Sequence, residues 1–181
     1  NGPADLYTVD LFTGNTTEIA PNITSTANGF ANYNIHVGYL MQKNHLVGDV
    51  RTNNNRIIAL VDGSYNVHLL PIQLNNGNLT SFDFHNAAIT NDGILYLMSS
   101  GNFMLLIDVN PTSENYLQEV GRPTLNSGWG TADIAINPVN NIMYGMRRDG
   151  RLRRFNTATM TELSTRRVNR VQHNNNTRNY N

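Results

Sequence analysis

Asparagine provides the first candidate chemistry in this chain, because four Asn residues stand in Asn-x-Ser/Thr sequons, the acceptor sequence for N-linked glycans. They are Asn15, Asn22, Asn78 and Asn175. Asn15 and Asn78 both belong to a Gly-Asn-x-Thr sequence that follows a short apolar stretch, as an exposed turn after a strand would. In a host that glycosylates secreted proteins, we expect glycans at Asn15 and Asn78, pointing into solvent.

The chain is rich in asparagine overall, with 30 Asn against a single Lys among its 181 residues. Asn favours turns, because its side chain caps nearby backbone and tolerates left-handed conformations. Two interpretations stay open at this point. The chain either makes many tight turns or uses its Asn-rich surface for carbohydrate attachment or for Asn-to-Asn contacts between subunits.

The only tryptophan is a candidate for sugar recognition. Trp129 stands in the sequence Ser127-Gly-Trp-Gly-Thr131, between two repeats. An exposed Trp can stack on a sugar ring, whereas a buried one seals the loop that leads into the next sheet. The sequence allows both roles for Trp129.

The charged side chains are segregated along the chain, although the net charge is zero. Residues 1–146 hold 4 basic and 11 acidic side chains, whereas residues 147–181 hold 9 Arg and 2 acidic side chains. The Arg-rich end either solvates one face of the last repeat or contacts an anionic partner, such as the acidic end of a second copy. A neutral chain is not typical of a dedicated nucleic-acid-binding protein. The residues predicted to contact a neighbouring subunit are Arg147, Arg148, Arg151, Arg153, Arg154, Arg166, Arg167, Val168, Val171 and Tyr180.

The remaining residue types argue against a reaction centre. Cysteine is absent, which excludes disulfides and Cys-ligated zinc, and the five His form no His-x-x-x-His pair. Neither a Gly-x-Ser-x-Gly elbow nor a phosphate-binding loop is present. Asp10 and Asp108 follow strand-like stretches, where an Asp is expected to bond to the backbone of a turn. No apolar run reaches the ~18 residues of a membrane span. We therefore expect no catalysis, no cofactor, no metal and no membrane span.

A strand-and-turn unit recurs four times and must position all of these residues. The units begin at Leu6, Leu69, Met104 and Leu152. Each contains an apolar residue followed by a polar one before a polar turn, namely Val9-Asp10, Ile72-Gln73, Ile107-Asp108 and Phe155-Asn156. We expect the apolar member of each pair to be buried at an equivalent position. Units of roughly 40–50 residues built from short strands are typical of β-propellers.

The repeats predict an all-β fold, a β-propeller-like array of about three and a half to four blades of antiparallel strands. Residues 1–167 are predicted to form one domain, with repeats near 6–20, 30–82, 84–120 and 131–167, followed by a polar C-terminal segment, 168–181. In the second repeat we predict strands at 35–40, 57–61, 67–72 and 79–82, with 51–56 as a polar insertion. The first repeat has only the last two strands. In the run 151–154, strand alternation predicts Arg151 and Arg153 on one face and Leu152 and Arg154 on the other.

Residues 132–146 and 150–157 resemble the blades of secreted microbial β-propeller proteins. In that pattern a strand ends in Asp/Asn-Pro, an x-Leu-Tyr-Gly strand follows, and a Gly-x-Leu-x-x-Ile-Asp strand leads into a turn; Leu6–Gly14 is similar to the last element. The resemblance covers about two-thirds of the chain. It implies an extracellular or cell-surface location, since such domains occur in adhesins and similar subunits build extracellular fibrils.

Our leading hypothesis is an extracellular structural or adhesive protein that associates with itself head-to-tail, as a glycosylated fibril subunit without catalysis. An open array leaves a row of unpaired backbone groups at Leu6–Leu11 or beside the last strand, which a neighbouring molecule can cover. Its partners would be further copies of the chain and glycans. Two alternatives stay open. One is a carbohydrate-binding propeller module that uses Trp129, and the other is a propeller lyase or hydrolase acting at the ring axis.

Overall fold

The computed structural model describes residues 5–21, 32–40, 45–52, 55–62, 64, 66–77, 84–99, 102–126, 133–146 and 151–167. These residues form fourteen strands and no helix, arranged as one two-stranded and three four-stranded antiparallel sheets. The predicted all-β, propeller-like fold is therefore confirmed. Each four-stranded sheet is a meander in which consecutive strands are hydrogen-bonded neighbours.

The sheets follow one another along the chain. Hairpin 1 consists of β1 (Leu6–Val9) and β2 (Thr16–Ala20). Blade 2 consists of β3 (Asn32–Leu40), β4 (His45–Thr52), β5 (Asn55–Val61) and β6 (Val67–Leu70). Blade 3 consists of β7 (Phe84–Ile89), β8 (Ile94–Ser99), β9 (Met104–Asp108) and β10 (Glu119–Gly121). Blade 4 consists of β11 (Asp133–Asn137), β12 (Ile142–Met146), β13 (Arg151–Asn156) and β14 (Thr161–Arg167).

The first strands of the three blades lie side by side, since β3 packs against β7 and β7 against β11. The later strands of each blade extend away from this shared centre to an outermost strand, β6, β10 or β14. Sheets that radiate from neighbouring first strands are the defining arrangement of a propeller.

The core lies between the blades, and blade 3 is buried on both faces. Successive residues of β8 and β9 point to opposite faces and therefore enter two different apolar clusters. One face carries Leu95, Leu97, Leu105 and Ile107, which pack in the cluster that includes Ile58 of blade 2. The other face carries Tyr96, Met98, Met104 and Leu106, which pack with Met143 and Phe155 of blade 4. This is why β8 and β9 read as continuous apolar runs.

Polar side chains fix the turns after the third strands. The Asp10 carboxylate accepts hydrogen bonds from the backbone N–H groups of Phe12 at 2.8 Å and Thr13 at 2.9 Å. These N–H groups hold the pKa of Asp10 below its usual value. Asp108 and Asn156 cap the equivalent turns of blades 3 and 4. The predicted turn-capping role of Asp10 and Asp108 is confirmed.

Blade 2 differs from its prediction in strand order. A strand at 45–52, β4, had not been predicted, and it pairs with β5 through the stretch assigned to a polar insertion, where Thr52 faces Asn55. Val67–Leu70 is consequently the fourth strand of this blade and not the third. Residues 79–82, predicted as the fourth strand, lie outside the described residues. The β4 sequence mixes charged residues and glycine with apolar ones, so its strand character depends on the ladder with β3 and β5.

The expected burial of the four apolar positions holds for two of them. Ile107 is 0% exposed and Phe155 is 1% exposed, as predicted. The prediction is wrong for Val9, which is 54% exposed. Hairpin 1 has two strands, and among the described residues no third strand continues it beyond β1. Ile72 follows β6 rather than ending a third strand, and it is partly buried against the cluster between blades 2 and 3.

Candidate functional site

The predicted site residues fall into two groups. Those outside the described residues are Asn22, Asn78, Trp129, Arg147, Arg148, Val168, Val171, Asn175 and Tyr180. Asn15 is described, and it lies exposed on the turn between β1 and β2, as expected for a glycan acceptor. The structure brings the described arginines together on the last two strands, where Arg151 faces Arg167 and Leu152 faces Arg166.

Arg153 follows the predicted alternation, because it faces Gly145 in the sheet register, whereas Leu152 and Arg154 face Met146 and Tyr144. The register of β13 and β14 shifts between Leu152 and Arg154, so Arg153 sits at an irregularity of the ladder. Its side chain is only 11% exposed, and its Nη1 atom lies 3.8 Å from Oε2 of Glu162. Arg153 thus contributes to the inside of blade 4 more than to its surface, whereas Arg151 is exposed.

Glu119 forms a buried polar contact that the sequence did not reveal. Its carboxylate, 4% exposed, accepts hydrogen bonds from the backbone N–H of Asn75 at 3.0 Å and from Nη2 of Arg122 at 2.7 Å. Arg122 also donates from the same Nη2 to the carbonyl of Asn76 at 3.1 Å. Glu119 belongs to the outermost strand of blade 3, while Asn75 belongs to the segment that leaves blade 2. The contact therefore fastens one blade to the next.

Glu162 repeats this contact one blade later. Its carboxylate accepts the backbone N–H of Asn126 and, at 2.9 Å, the side-chain amide of the same residue. Glu119 faces Ile107 in the sheet register, and Glu162 faces Phe155, so the two acids occupy the same position of the repeat. We call the two contacts the Glu119 latch and the Glu162 latch. A sequence signal does exist for them, because Leu74-Asn75 and Leu125-Asn126 share their spacing from the preceding strand.

Tyr96 shows how one blade covers the next. It is 3% exposed on the face of blade 3 that packs against blade 4. Its hydroxyl donates to the carbonyl of Thr157, 3.4 Å away in the turn between β13 and β14. Burial raises the pKa of Tyr96 to about 12. The turn after the third strand of blade 4 therefore lies over Tyr96.

Blade 4 carries an apolar face equivalent to that of blade 3, but its side chains are less buried. Ile142, Tyr144 and Met146 occupy the positions that Ile94, Tyr96 and Met98 occupy in blade 3. In the sheet, Arg154 lies opposite Tyr144 and Leu152 lies opposite Met146. Met98 is 0% exposed, whereas Met146 is 41% exposed and Tyr144 is half-buried. We call Ile142, Tyr144, Met146, Leu152 and Arg154 the outward face of blade 4.

Hairpin 1 presents a second under-covered surface. Tyr7 is 47% exposed, and the two residues at the turn, Leu11 and Phe12, are 92% and 101% exposed. The Tyr7 hydroxyl donates to Glu18 at 2.9 Å, and this hydrogen bond raises the pKa of Tyr7. With Val9, these residues form an apolar surface beside exposed acidic side chains, which are Asp5, Asp10 and Glu18.

The described residues contain no group of three or more His, Cys, Asp or Glu side chains placed to hold a metal ion. A search of the same residues for helices that are long and apolar enough to cross a membrane finds none. Among the described residues, two apolar surfaces are thus left under-covered, one on hairpin 1 and one on the outward face of blade 4.

Comparisons with known proteins agree with the fold. No protein-family model matches the chain, and no curated protein matches it. The WD40 repeats of RRP9 superpose with a TM-score of 0.54 at 13% identity, over 77% of this chain and 41% of that chain. U3-55K superposes with a TM-score of 0.53 at 12% identity, over 77% of this chain and 41% of that chain. A structure of the mitotic checkpoint complex matches with a TM-score of 0.51 at 11% identity, over 78% of this chain and 39% of that chain.

At these identities the likeness is one of fold alone, and WD40 repeats form β-propellers. The chain spans less than half the length of the propeller chains that it matches. The blades of this chain therefore match only part of those propellers.

Proposed function

We propose that this chain is a non-catalytic, self-associating structural subunit that acts outside the cell or at its surface. In the proposed assembly, the outward face of blade 4 of one molecule packs against hairpin 1 of the next molecule. The blades then continue from copy to copy. Such a contact is head-to-tail, and head-to-tail contacts build rings or filaments according to the rotation between subunits.

The observation that carries the proposal is the repetition of one apolar face on blades 3 and 4. Blade 4 covers that face in blade 3, where Tyr96 is 3% and Met98 is 0% exposed. The copy on blade 4 leaves Met146 41% exposed. Full burial of a side chain such as Met stabilises by about 1.5–3 kcal/mol, so a further blade packed on this face would be favoured.

Hairpin 1 has the strands and the turn that such a further blade would need. It reproduces the third and fourth strands of blade 4, because Asp10 caps its turn as Asn156 does in blade 4. In this alignment Leu11 corresponds to Thr157, whose carbonyl accepts the Tyr96 hydroxyl. In the assembly, the Tyr144 hydroxyl would donate to the carbonyl of Leu11 in the neighbouring molecule. The exposed Leu11 side chain would become buried by the same contact, as Thr157 is in blade 4.

Strand edges and charge support the same pairing. In the described sheets β1 has β2 as its one neighbour, so its other edge offers backbone N–H and C=O groups to an added strand. The surface around hairpin 1 is acidic, with Asp5, Asp10 and Glu18 exposed. The last strands carry arginines, of which Arg151 is exposed. Complementary charge of this kind orients molecules as they approach.

The extracellular location and the glycans belong to the proposal through the sequence. The resemblance of residues 132–146 and 150–157 to blades of secreted proteins supports export. The exposed position of Asn15 supports a glycan at that residue.

The test is sedimentation velocity over a range of protein concentrations, combined with electron microscopy, on the full-length chain and two variants. Met146→Asp places a charge on the outward face of blade 4. Val139→Asp places the same charge on a side chain that is 91% exposed in the turn between β11 and β12. Circular dichroism checks that both variants keep their β structure.

The full-length chain is expected to form concentration-dependent oligomers. Met146→Asp should weaken their formation by about tenfold or more, because the charge must be desolvated. Val139→Asp should leave association unchanged. A full-length chain that sediments as a monomer at micromolar concentration would overturn the proposal, as would equal effects of the two variants.

A further inference from the structure

The segment that leaves blade 2 carries an Asn-Gly pair, Asn76-Gly77, next to the Glu119 latch. Both residues are exposed, and Gly77 has a φ of 79°. Within the described part of the chain, a Cβ atom placed on Gly77 would meet no atom within 4 Å, so the backbone of this pair is not crowded. The Asn76 side chain and the Gly77 nitrogen are therefore open to reaction with each other and with water.

An Asn-Gly pair can react without an enzyme. The backbone nitrogen of the glycine loses its proton and attacks Cγ of the asparagine, and the side-chain nitrogen leaves as ammonia. The product is a cyclic succinimide, which water opens at either of its carbonyl carbons. Opening at Cγ gives aspartate, and opening at the former main-chain carbonyl gives isoaspartate. Glycine favours the attack because it has no Cβ beside the nitrogen and its backbone is free to adjust.

A guanidinium lies against the peptide group that would react. Nη2 of Arg122 donates to the main-chain carbonyl of Asn76 at 3.1 Å, across 46 positions of sequence. That oxygen and the Gly77 nitrogen belong to one conjugated peptide group, so the charge left by deprotonation of the nitrogen is shared with the oxygen. A cationic donor at the oxygen therefore stabilises the attacking form, as an oxyanion hole stabilises a developing charge.

The Glu119 latch holds this guanidinium in place. Nε and Nη2 of Arg122 donate to the two carboxylate oxygens of Glu119 at 2.9 Å and 2.7 Å. The Glu119 side chain is 4% exposed, and its carboxylate also accepts the backbone N–H of Asn75. A bidentate pair of this kind fixes the plane of the guanidinium. Arg122 therefore needs no rearrangement to meet the charge that develops on the Asn76 peptide group.

We propose that Asn76 is a site of spontaneous deamidation, which Arg122 promotes and directs towards isoaspartate. The net reaction consumes the asparagine amide and one water and releases ammonia, so neither an oxidant nor a reductant takes part. The inference does not depend on the proposed assembly, because every contact that carries it lies within one molecule.

Arg122 favours isoaspartate because of where it donates. A hydrogen bond to the former main-chain carbonyl polarises that carbon, so water attacks it in preference to Cγ. The bond from this carbon to the Gly77 nitrogen breaks, and the nitrogen stays attached to Cγ. The oxygen that Arg122 contacts then belongs to a free carboxylate. A guanidinium binds a carboxylate more strongly than a neutral carbonyl, so the product gains an ion pair with Arg122.

The modification alters the seam between blades 2 and 3. It adds a negative charge beside Glu119, and the new carboxylate competes with Glu119 for Arg122. Isoaspartate also adds a methylene group to the main chain, directly before Asn78 and its sequon. Two forms of the chain that differ in charge should therefore accumulate with time.

The test follows deamidation of the full-length chain in mildly alkaline buffer. Peptide mapping by mass spectrometry, with electron-based fragmentation to distinguish isoaspartate from aspartate, gives the rate and the product ratio at Asn76. Asn28-Gly29 in the same chain provides an internal reference reaction. Arg122→Gln removes the guanidinium, and Arg151→Gln removes an exposed arginine of blade 4 as the matched control for charge. Circular dichroism checks that both variants keep their β structure.

Arg122→Gln should slow deamidation of Asn76 about threefold or more and lower its share of isoaspartate, while Asn28 reacts as before. Arg151→Gln should leave both sites as they are in the natural chain. Equal rates at Asn76 in the natural chain and in Arg122→Gln would overturn the inference. A faster reaction in Arg122→Gln would overturn it as well, because the latch would then protect the site. So would an unmodified Asn76 in a natural chain whose Asn28 has reacted.

A second measurement separates the folded contact from the residue itself. In concentrated urea Arg122 no longer meets Asn76, so the natural chain and Arg122→Gln should react at the same rate there. A difference that persists in urea would contradict a role for the contact. Should Arg122→Gln lose its β structure, Arg122→Lys takes its place, because it keeps a cation beside Glu119 without the planar fork of donors. Deamidation of Asn76 should be slower in Arg122→Lys too, and an unchanged rate and product ratio would overturn the inference.

Discussion

Glu119 accepts a hydrogen bond at 3.0 Å from the backbone N–H of Asn75, a residue 44 positions earlier in the chain. The contact joins the exit of blade 2 to the outermost strand of blade 3, far from the inner strands that already pack together. Neighbouring blades are thus held at two places, along their first strands and at their outer ends. Two points of attachment fix the angle between blades, which is what a stack of blades needs if it is to continue regularly.

The Glu119 latch should contribute measurably to stability. In Glu119→Ala the N–H of Asn75 and the guanidinium of Arg122 lose their hydrogen bonds to the carboxylate, and a hydrogen bond to a charged group contributes about 1.5–3 kcal/mol. Chemical denaturation measures the loss. Glu114→Ala removes an exposed carboxylate from the loop before β10 and should change stability by less than about 0.5 kcal/mol. Equal stability of the two variants would show that the latch is energetically unimportant.

The buried third-strand residues should be the most sensitive apolar positions. Ile107→Ala leaves a cavity in the cluster between blades 2 and 3, and we expect a loss of about 2–5 kcal/mol. Val9→Ala changes a residue that is 54% exposed at the equivalent position of hairpin 1, and its effect in the unassembled chain should stay within about 0.5 kcal/mol. Denaturation at low protein concentration, where the chain is monomeric, makes the comparison. A large effect of Val9→Ala there would mean that hairpin 1 is covered within its own molecule.

The contrast between Ile107 and Val9 shows what the sequence could predict of the fold. Both residues precede an Asp that caps a turn, and this local pattern correctly predicted the strands and their turns. Burial is a different property, because it depends on which sheet lies against the residue. Ile107 has blade 2 against it, and the described residues provide no such neighbour for Val9.

The latches could not be predicted from the sequence for a related reason. Glu162 and Asn126 are 36 positions apart, and their contact depends on how blade 4 stacks on blade 3. Single polar residues in turns carry no periodicity that would single them out. Once the sheets are known, the shared spacing of Leu74-Asn75 and Leu125-Asn126 becomes a recognisable signal, although it was invisible before.

Tyr96 should lose its phenolic proton at a higher pH than an ordinary tyrosine does. Burial raises its pKa from 10.0 to about 12, so the folded chain keeps the phenolic proton where the unfolded chain has begun to lose it. Its contribution to stability is complete below pH 10 and is lost as the pH rises from there through about 12. The ultraviolet absorbance of phenolate, followed with pH, measures this.

Tyr96→Phe should remove the late-titrating group and leave the other tyrosines as they were. The same variant should also lose the hydrogen bond to Thr157 and become less stable by about 0.5–1.5 kcal/mol. If Tyr96→Phe instead removed a phenol that titrates near pH 10 with the ordinary tyrosines, blade 4 would not cover this residue in solution.

Asn15 should carry a glycan in material from a glycosylating secretory host. The intact mass should then exceed the 20.2 kDa of the polypeptide. Thr17→Ala destroys the Asn15 sequon and should remove the corresponding mass, whereas Thr17→Ser keeps the sequon and should retain it. Mass spectrometry of glycopeptides locates the glycan, and an unmodified Asn15 peptide from such material would reject the prediction.

Association should depend on the charge of Asp10. Asp10→Asn removes the charge but keeps the turn cap, because Asn156 caps the equivalent turn of blade 4 with its own side-chain oxygen. Exposed opposite charges contribute about 0.2–1 kcal/mol, so association should weaken by a few-fold while the stability of the monomer is unchanged. Salt screens such charges, and the variant should therefore show a smaller loss of association on going from ~0.05 M to ~0.5 M salt than the natural chain. Asp92→Asn removes an exposed charge from the turn between β7 and β8 of blade 3 and serves as the matched control.

If the apolar surfaces alone drove assembly, association would strengthen with salt and Asp10→Asn would behave as Asp92→Asn does. That result would leave the Met146 face in place as the interface and would remove the acidic hairpin as its electrostatic partner.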